Sequence, residues 1–270
     1  MSIGNTRKKT TWSYSRTTCF GNCKYEYYLN YIVKDYELYP PEGNYYADVG
    51  KLVHEILAMY FQGELSKDDV YQYFISYYDD YIENKVSPKI MDKTYFNIAD
   101  YFANFDIDWI NNYEILGAEV EERFKVGKYN FVGYIDLLLR DKRDNKLVVL
   151  DHKSSSYPFM LNGEVKANSK ESFEKYKKQM YLYCHAVHER TGEWPKEMTW
   201  NHYKDGGRLA TIPFIMSEYK EIMKWFKESL AEIEAEEDFP ANLNYFYCNN
   251  LCKFRKSCEY KELGGGRNLS

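Results

Sequence analysis

The hydrophobic pattern changes period at Ala118, and that change limits the fold more than any other feature of the chain. Residues 118–126 alternate apolar and polar side chains, Gly127-Lys128 supplies a turn, and 131–139 make a second strand-like run. Asp144-Asn145 supplies another turn and 147–151 a third run. Short runs joined by tight turns predict an antiparallel meander. Residues 172–189 return to helical spacing, 197–203 and 208–214 pair as a hairpin around Asp205-Gly206-Gly207, and 218–236 form an amphipathic helix. The order predicts an α/β chain with a central mixed five-stranded sheet, flanking helices and a helical N-terminal region.

Upstream of the period change the spacing is helical. Ser13 and Ser15 are candidate N-caps for a helix over 12–33, interrupted at Gly21-Asn22 before Cys23. Pro40, Pro41 and Gly43 mark a loop over 36–46, and 48–61 is a helix carrying His54 near its start. Helices over 67–83 and 95–113, separated by a loop at Pro88, read together as a helical insertion at 67–113. A chain of 270 residues can hold one large domain with such an insertion, so 1–263 is expected to be a single domain and GGGRNLS, 264–270, a flexible tail.

No apolar run approaches the roughly 20 residues needed to span a bilayer, and no apolar segment follows the basic residues of MSIGNTRKKT, so neither a membrane nor a secretory route is expected. The expected place is the cytosol. A net charge of −5 argues against a broad nucleic-acid-binding face but leaves room for one basic groove. Lys166, Lys170, Lys175, Lys177 and Lys178 cluster where such a groove is expected, although a lysine run also suits a plain solvated helix face. The 29 tyrosines accompany frequent Asn, Lys and Ile, the mark of an AT-rich genome, and define no site.

Two acidic positions end adjacent strands. Gly133-Tyr134-Ile135-Asp136 closes the second run and Asp151-His152-Lys153 the third. Two carboxylates and an ammonium at one point suit a divalent metal and a phosphodiester, since the metal neutralises phosphate charge and acidifies a water while the cation steadies the transition state. The His152 side chain should point to the opposite sheet face, with its backbone carbonyl left as a further candidate ligand. Gly50 precedes His54 by one helical turn, where a missing side chain would admit a close neighbour, and Gln179 and Tyr183 share one helix face at i and i+4. An Asp-x-Lys, a helical histidine or a Gln–Tyr pair taken alone is more often structural than catalytic.

In order, G-x-x-x-H, G-x-x-D, D-x-K and Q-x-x-x-Y on helix, strand, strand and helix resemble the PD-(D/E)XK nuclease superfamily, and more narrowly its RecB-type nuclease domain and stand-alone exonucleases. The resemblance implies a restriction-endonuclease-like core. It further implies that His54, Asp136 and Asp151 bind Mg or Mn, that Lys153 is catalytic, and that Gln179 and Tyr183 assist. Glu121, or Glu119 on the same strand, is its candidate for an additional acid. A histidine beside carboxylates is softer than an all-oxygen shell, which should favour Mn over Mg.

Six cysteines are unevenly spread: Cys19 and Cys23 early, Cys184 alone, and Cys248, Cys252 and Cys258 late as C-x3-C-x5-C. Clustered thiols in a cytosolic chain point to metal, and Cys184 reads as a small buried hydrophobe. The context Phe20-Gly21-Asn22-Cys23-Lys24-Tyr25-Glu26-Tyr27-Tyr28 resembles the entry of iron-sulfur members of the same superfamily, the helicase-associated nuclease subunits and CRISPR-associated exonucleases. That likeness implies a 4Fe-4S cluster on Cys23, Cys248, Cys252 and Cys258, with 245–260 the metal-binding segment. The C-x3-C spacing is one residue longer than the likeness leads one to expect. Zinc fits four thiolates equally well by count, and Cys19 competes with Cys23 as the fourth ligand.

The expectation is therefore a metal-dependent DNA exonuclease acting on single-stranded or end-processed DNA in recombination, repair or replication. It would leave a 5′-phosphate and a 3′-hydroxyl, working in a bacterial or phage-infected cytosol and compatible with a recombination or helicase partner. The alternative is a non-catalytic DNA-binding or adaptor module that keeps fold and metal. Retention of Lys153 beside both aspartates weighs against it.

Overall fold

Strand β3, Tyr129–Asp141, is the spine of the sheet. The structure, a computed structural model, describes residues 10–264; the basic N-terminal stretch before Thr10 lies outside the described residues, as does the tail expected over 264–270 apart from Gly264, which ends a helix. Along one edge β3 pairs antiparallel with β2, Tyr113–Val126. Its other edge is shared: β1, Thr11–Trp12, lies parallel to Asn130–Phe131, and β4, Leu147–Lys153, lies antiparallel to Leu137–Arg140. Beyond β4 come β5, Glu197–His202, in parallel, and β6, Arg208–Pro213, antiparallel to β5. The meander, the hairpin and the mixed sheet are as expected, but the strands number six rather than five. Thr11–Trp12 is too short for any period to reveal it.

Because β1 and β4 occupy opposite ends of one edge, no strand among the described residues pairs with 132–136 on that side. The sheet forks there. Asp136 and Asp151 are the next residues beyond the last ladder pair, Leu137 opposite Leu150, so both stand at the fork's mouth.

The eight α-helices among the described residues are α1 (Tyr14–Asn22), α2 (Lys24–Tyr27), α3 (Tyr45–Gln62), α4 (Val70–Tyr81), α5 (Pro88–Ala103), α6 (Lys170–Thr191), α7 (Met216–Ala235) and α8 (Lys261–Gly264). Ser13 caps α1, accepting from the Arg16 N–H, and the break falls at Cys23, which ends α1 and begins α2. Asn44 accepts from the Tyr46 N–H to start α3, and Gly63, at φ 79, ends it in the left-handed conformation that costs glycine little.

Two boundaries differ from expectation. Pro88 begins α5 instead of lying in a loop: the first helical turn has no use for the N–H that proline lacks, and its fixed φ suits that position. The helix expected to reach residue 113 ends at Ala103, and Tyr113 already opens β2. An irregularity between Ile115 and Gly117 interrupts the alternation there, hiding the first five residues of the strand.

The sheet is covered on both faces. Leu137, Leu139, Val148 and Leu150 pack with α3, α4 and α5, whereas Leu138, Leu147 and Val149 pack with α6 and with Trp200. The proposed insertion thus shares its core with the sheet. Ile135 is two residues from Leu137 yet lies on the α6 face, and the paired residues Val120 and Ala118 are divided in the same way. The alternation slips on both strands at once, at Asp136 and at Glu119, whose φ of 50 is left-handed.

Candidate active site

The slip decides which acid reaches the site. Glu119 falls between the register pairs Ala118–Leu137 and Val120–Ile135, opposite Asp136, and its left-handed backbone turns its carboxylate toward α3. There His54 Nδ1 lies 3.4 Å from Asp136 Oδ2 and 3.7 Å from Glu119 Oε1. Among the described residues, His54, Glu119 and Asp136 form the group whose metal-capable ligand atoms all lie within 4.8 Å of one another. Glu121, the acid favoured above, is not brought there. It is exposed, pairs with Arg123 at 2.6 Å and accepts from the Tyr134 hydroxyl. Strict alternation puts 119 and 121 on one face and cannot tell them apart; only the positive φ at 119 does.

On the β4 side of the fork the Asp136 carboxylate accepts the His152 backbone N–H at 2.6 Å, tying the two strand ends together where their ladder stops. His54 Nε2 lies 3.1 Å from the His152 carbonyl oxygen, so that carbonyl holds the imidazole with one of its two lone pairs. The His152 ring points away from Asp151, as expected, stacking on Phe61 and accepting from the Asn201 amide through Nδ1. Burial pushes its pKa down to about 3, so it stays neutral.

Asp151 and Lys153 face α6. Their ion pair measures 2.6 Å, and Lys153 Nζ also donates to Gln179 Oε1 at 3.1 Å while standing 5.0 Å over the Tyr176 ring. Gln179 in turn donates through Nε2 to the Tyr183 hydroxyl at 2.9 Å, so both ends of its amide are fixed. Gly133 is required by this arrangement, because a Cβ there would lie 2.9 Å from Tyr183 Cε1. Gly50 is not: a Cβ would meet only the Tyr203 hydroxyl, at 4.0 Å, so the close approach expected at the helix occurs at the strand. Asp151 lies outside the tight His54 group. Its buried Oδ2 has the lysine charge close by but no hydrogen bond along a lone-pair direction, an opening that a cation can fill.

The electrostatics match a site built for a cation. Burial alone would lower the His54 pKa, but the Asp136 and Glu119 carboxylates outweigh it and raise it to about 10. Burial works to raise Asp136, and His54 overcomes it to hold the carboxyl low. Asp151 moves the other way: burial lifts it, Lys153 opposes, and Asp136 adds to the lift. Burial also opposes the Lys153 charge, but Asp151 and Asp136 keep the ammonium above its usual value. Two carboxylates facing one imidazole nitrogen need a positive charge between them, either a proton or a metal. Imidazole with two or three carboxylates is a donor set for Mn or Mg, and the residues fit such an ion.

Four of the six cysteines, Cys23, Cys248, Cys252 and Cys258, line one small cavity, but among the described residues their sulfurs do not form a group within 4.8 Å of one another as the His54 group does. Cys23 Sγ accepts two backbone N–H groups, from Glu26 at 3.5 Å and Asn242 at 3.4 Å. The segment Tyr247–Leu251 is a π-helical turn, closed by Cys252 N–H donating to the Tyr247 carbonyl at 2.9 Å. A π turn takes up one extra residue, which accommodates the C-x3-C spacing. Cys19 packs instead among the residues around Phe20 and Phe226, and Cys184 is fully buried under α6. Tyr25 to Glu259 and Tyr247 to Glu26 are further hydrogen bonds joining the two ends of the chain.

A sheet fork carrying carboxylates, a histidine and a buried lysine could hold a divalent cation. The chain matches the PD-(D/E)XK nuclease superfamily over residues 11–259 and belongs to it. PD-(D/E)XK nucleases use divalent metals. Comparison with solved structures finds the fold in a candidate exonuclease from Eubacterium rectale, at 14% identity and a TM-score of 0.54, covering 100% of this chain and 94% of that one. The protein SSO0001 aligns at 13% identity and a TM-score of 0.37 over 96% and 91% of the two chains. Among curated proteins nothing matches.

If His54 carries a proton that a metal displaces, binding Mn at pH 7.5 should release about one proton per ion. Titration calorimetry in buffers of different ionisation enthalpy measures the release. His54→Ala should abolish it and weaken binding, whereas a wild type that binds Mn without releasing a proton contradicts the assignment.

Proposed function

We propose that the chain is a metal-dependent DNA exonuclease, cutting phosphodiester bonds at the ends of single-stranded or end-processed DNA in recombination, repair or replication. The observation that carries this reading is the fork, where Asp136, Asp151 and Lys153 converge on one point with Lys153 aimed by Gln179. The name of the Eubacterium rectale structure points the same way. Residues 1–263 act as one nuclease domain in this reading, with 67–113 its insertion and 245–260 its cysteine-rich segment.

A bound divalent ion would supply Lewis acidity to the phosphate and lower the pKa of a water. His54, Glu119, Asp136 and Asp151 would hold it. The work of the other residues follows from their contacts. Lys153 keeps its charge because Asp151 and Asp136 face it, and it presents that charge to the phosphate as negative charge grows in the transition state. Gln179 and Tyr183 restrict the lysine to one position.

Cys23, Cys248, Cys252 and Cys258 would hold a structural 4Fe-4S cluster. Four thiols around one cavity, with two N–H groups on Cys23 Sγ, suit a cluster whose sulfurs are hydrogen-bonded. Such a site would tie Cys23 to a segment more than two hundred residues away. On the chain-entropy account of cross-links that is worth on the order of 5 kcal/mol.

Digestion of end-labelled DNA tests the activity. Wild type should degrade DNA faster with Mn than with Mg, and Asp151→Asn should lose at least about a hundredfold while its melting temperature shows it folded. A wild type that cuts no DNA, or a mutant that cuts as well, rejects the reading in favour of a non-catalytic DNA-binding module. Protein purified without air should be brown with about four irons per chain; colourless protein with zinc rejects the cluster.

A further inference from the structure

We infer that the open groove bounded by α1, α6, α7 and the cysteine-rich segment binds single-stranded DNA on its way to the catalytic lysine, an inference that rests on the nuclease reading above. The groove is open to solvent and has a volume of about 1040 Å³. Tyr14, Lys178, Trp225, Phe246 and Leu251 are among the residues that line it. Phe246 is 63% exposed and Leu251 42%, so the fold itself makes little use of either.

Charge selects the occupant. Three lysines and two glutamates line the groove, and four of these are spent on one another: Lys24 bonds Glu232 and Lys175 bonds Glu171. Lys178 is left over. No carboxylate among the described residues lies within ion-pair distance of it, and its ammonium stands 3.8 Å over the Trp225 ring. A lone cation on an aromatic face offers charge to a phosphate, and the exposed ring of Phe246 in the same lining offers a surface on which a base can stack. Stacking of that kind needs unpaired bases. A duplex would need a broader basic footprint than a chain of net charge −5 with one uncommitted groove lysine presents.

Tyr14 links the groove to the active site, since it lines the groove and lies within electrostatic range of Tyr176 and Asp151. The Tyr14 hydroxyl donates to the Lys175 carbonyl, and the next residue, Tyr176, carries the Lys153 ammonium over its ring. A strand that follows the groove to Tyr14 therefore reaches the side chains around the catalytic lysine.

Fluorescence anisotropy with a labelled oligo(dT) of about 20 nucleotides, in EDTA to prevent cutting, tests the groove on the full chain. Lys178→Glu should weaken binding at least about tenfold, and Lys178→Gln should lower the salt slope by about 0.7, the share of one phosphate on a single strand. Phe246→Ala should also weaken it, and because that residue is exposed the variant tests the groove without disturbing the core. Hydrolysis of bis(p-nitrophenyl) phosphate with Mn should be unchanged in all three. Unchanged oligo(dT) affinity in all three variants overturns the groove while leaving the nuclease standing. Equal losses for a duplex of the same length overturn the single-strand assignment. A wild type that hydrolyses neither substrate overturns the nuclease reading, and the anisotropy results still decide the groove.

Discussion

The hydrogen bond from the His152 N–H to the Asp136 carboxylate holds the site together. It lies one step beyond the last rung of the β3–β4 ladder, where two strands that part company would otherwise leave a buried donor unpaired. By closing that gap with a side chain, the fold keeps a carboxylate at the mouth of the fork and aligns the His152 carbonyl to hold His54. The simultaneous slip of β2 and β3 at Glu119 and Asp136 supplies the rest. It costs the strain of a left-handed glutamate, of order 1–3 kcal/mol, and brings a second carboxylate to the same imidazole nitrogen.

Burial and charge oppose each other throughout this centre. Asp136, Asp151 and His152 are buried, and each responds as its neighbours dictate: Asp136 held ionised by His54, Asp151 lifted by desolvation, His152 kept neutral. Removing one member of such a set strands a charge, which in buried pairs typically costs about 3–5 kcal/mol. An isosteric change at Asp151 is therefore more informative than truncation. The same arrangement explains the orientation of Lys153: the amide of Gln179 is gripped at both ends, and Gly133 leaves room for the tyrosine that grips it.

Much of this was legible in residue order. Alternation from 118 onward shows the meander, and the i, i+4 spacing of Gln179 and Tyr183 shows a shared face, on which Gln179 bonds both Lys153 and Tyr183. Three features were not. Thr11–Trp12 is too short to carry a period, Pro88 reads as a breaker unless it is known to open a helix, and the choice of Glu119 over Glu121 depends on one backbone angle. Side-chain pattern records which face a residue should occupy on a regular strand. It does not record where regularity fails, and the slip, like the π turn at Tyr247–Leu251, is such a failure, which re-aims the side chains around it.

The central claim is that His54, Glu119, Asp136 and Asp151 share a divalent ion at the sheet fork. Anomalous diffraction from crystals grown with Mn tests it most directly. The account predicts one strong peak within bonding distance of His54, Asp136 and Glu119, with Asp151 drawn to it. A peak ligated by Glu121 instead of Glu119, or no peak at the fork in crystals of protein that cuts DNA, would contradict it.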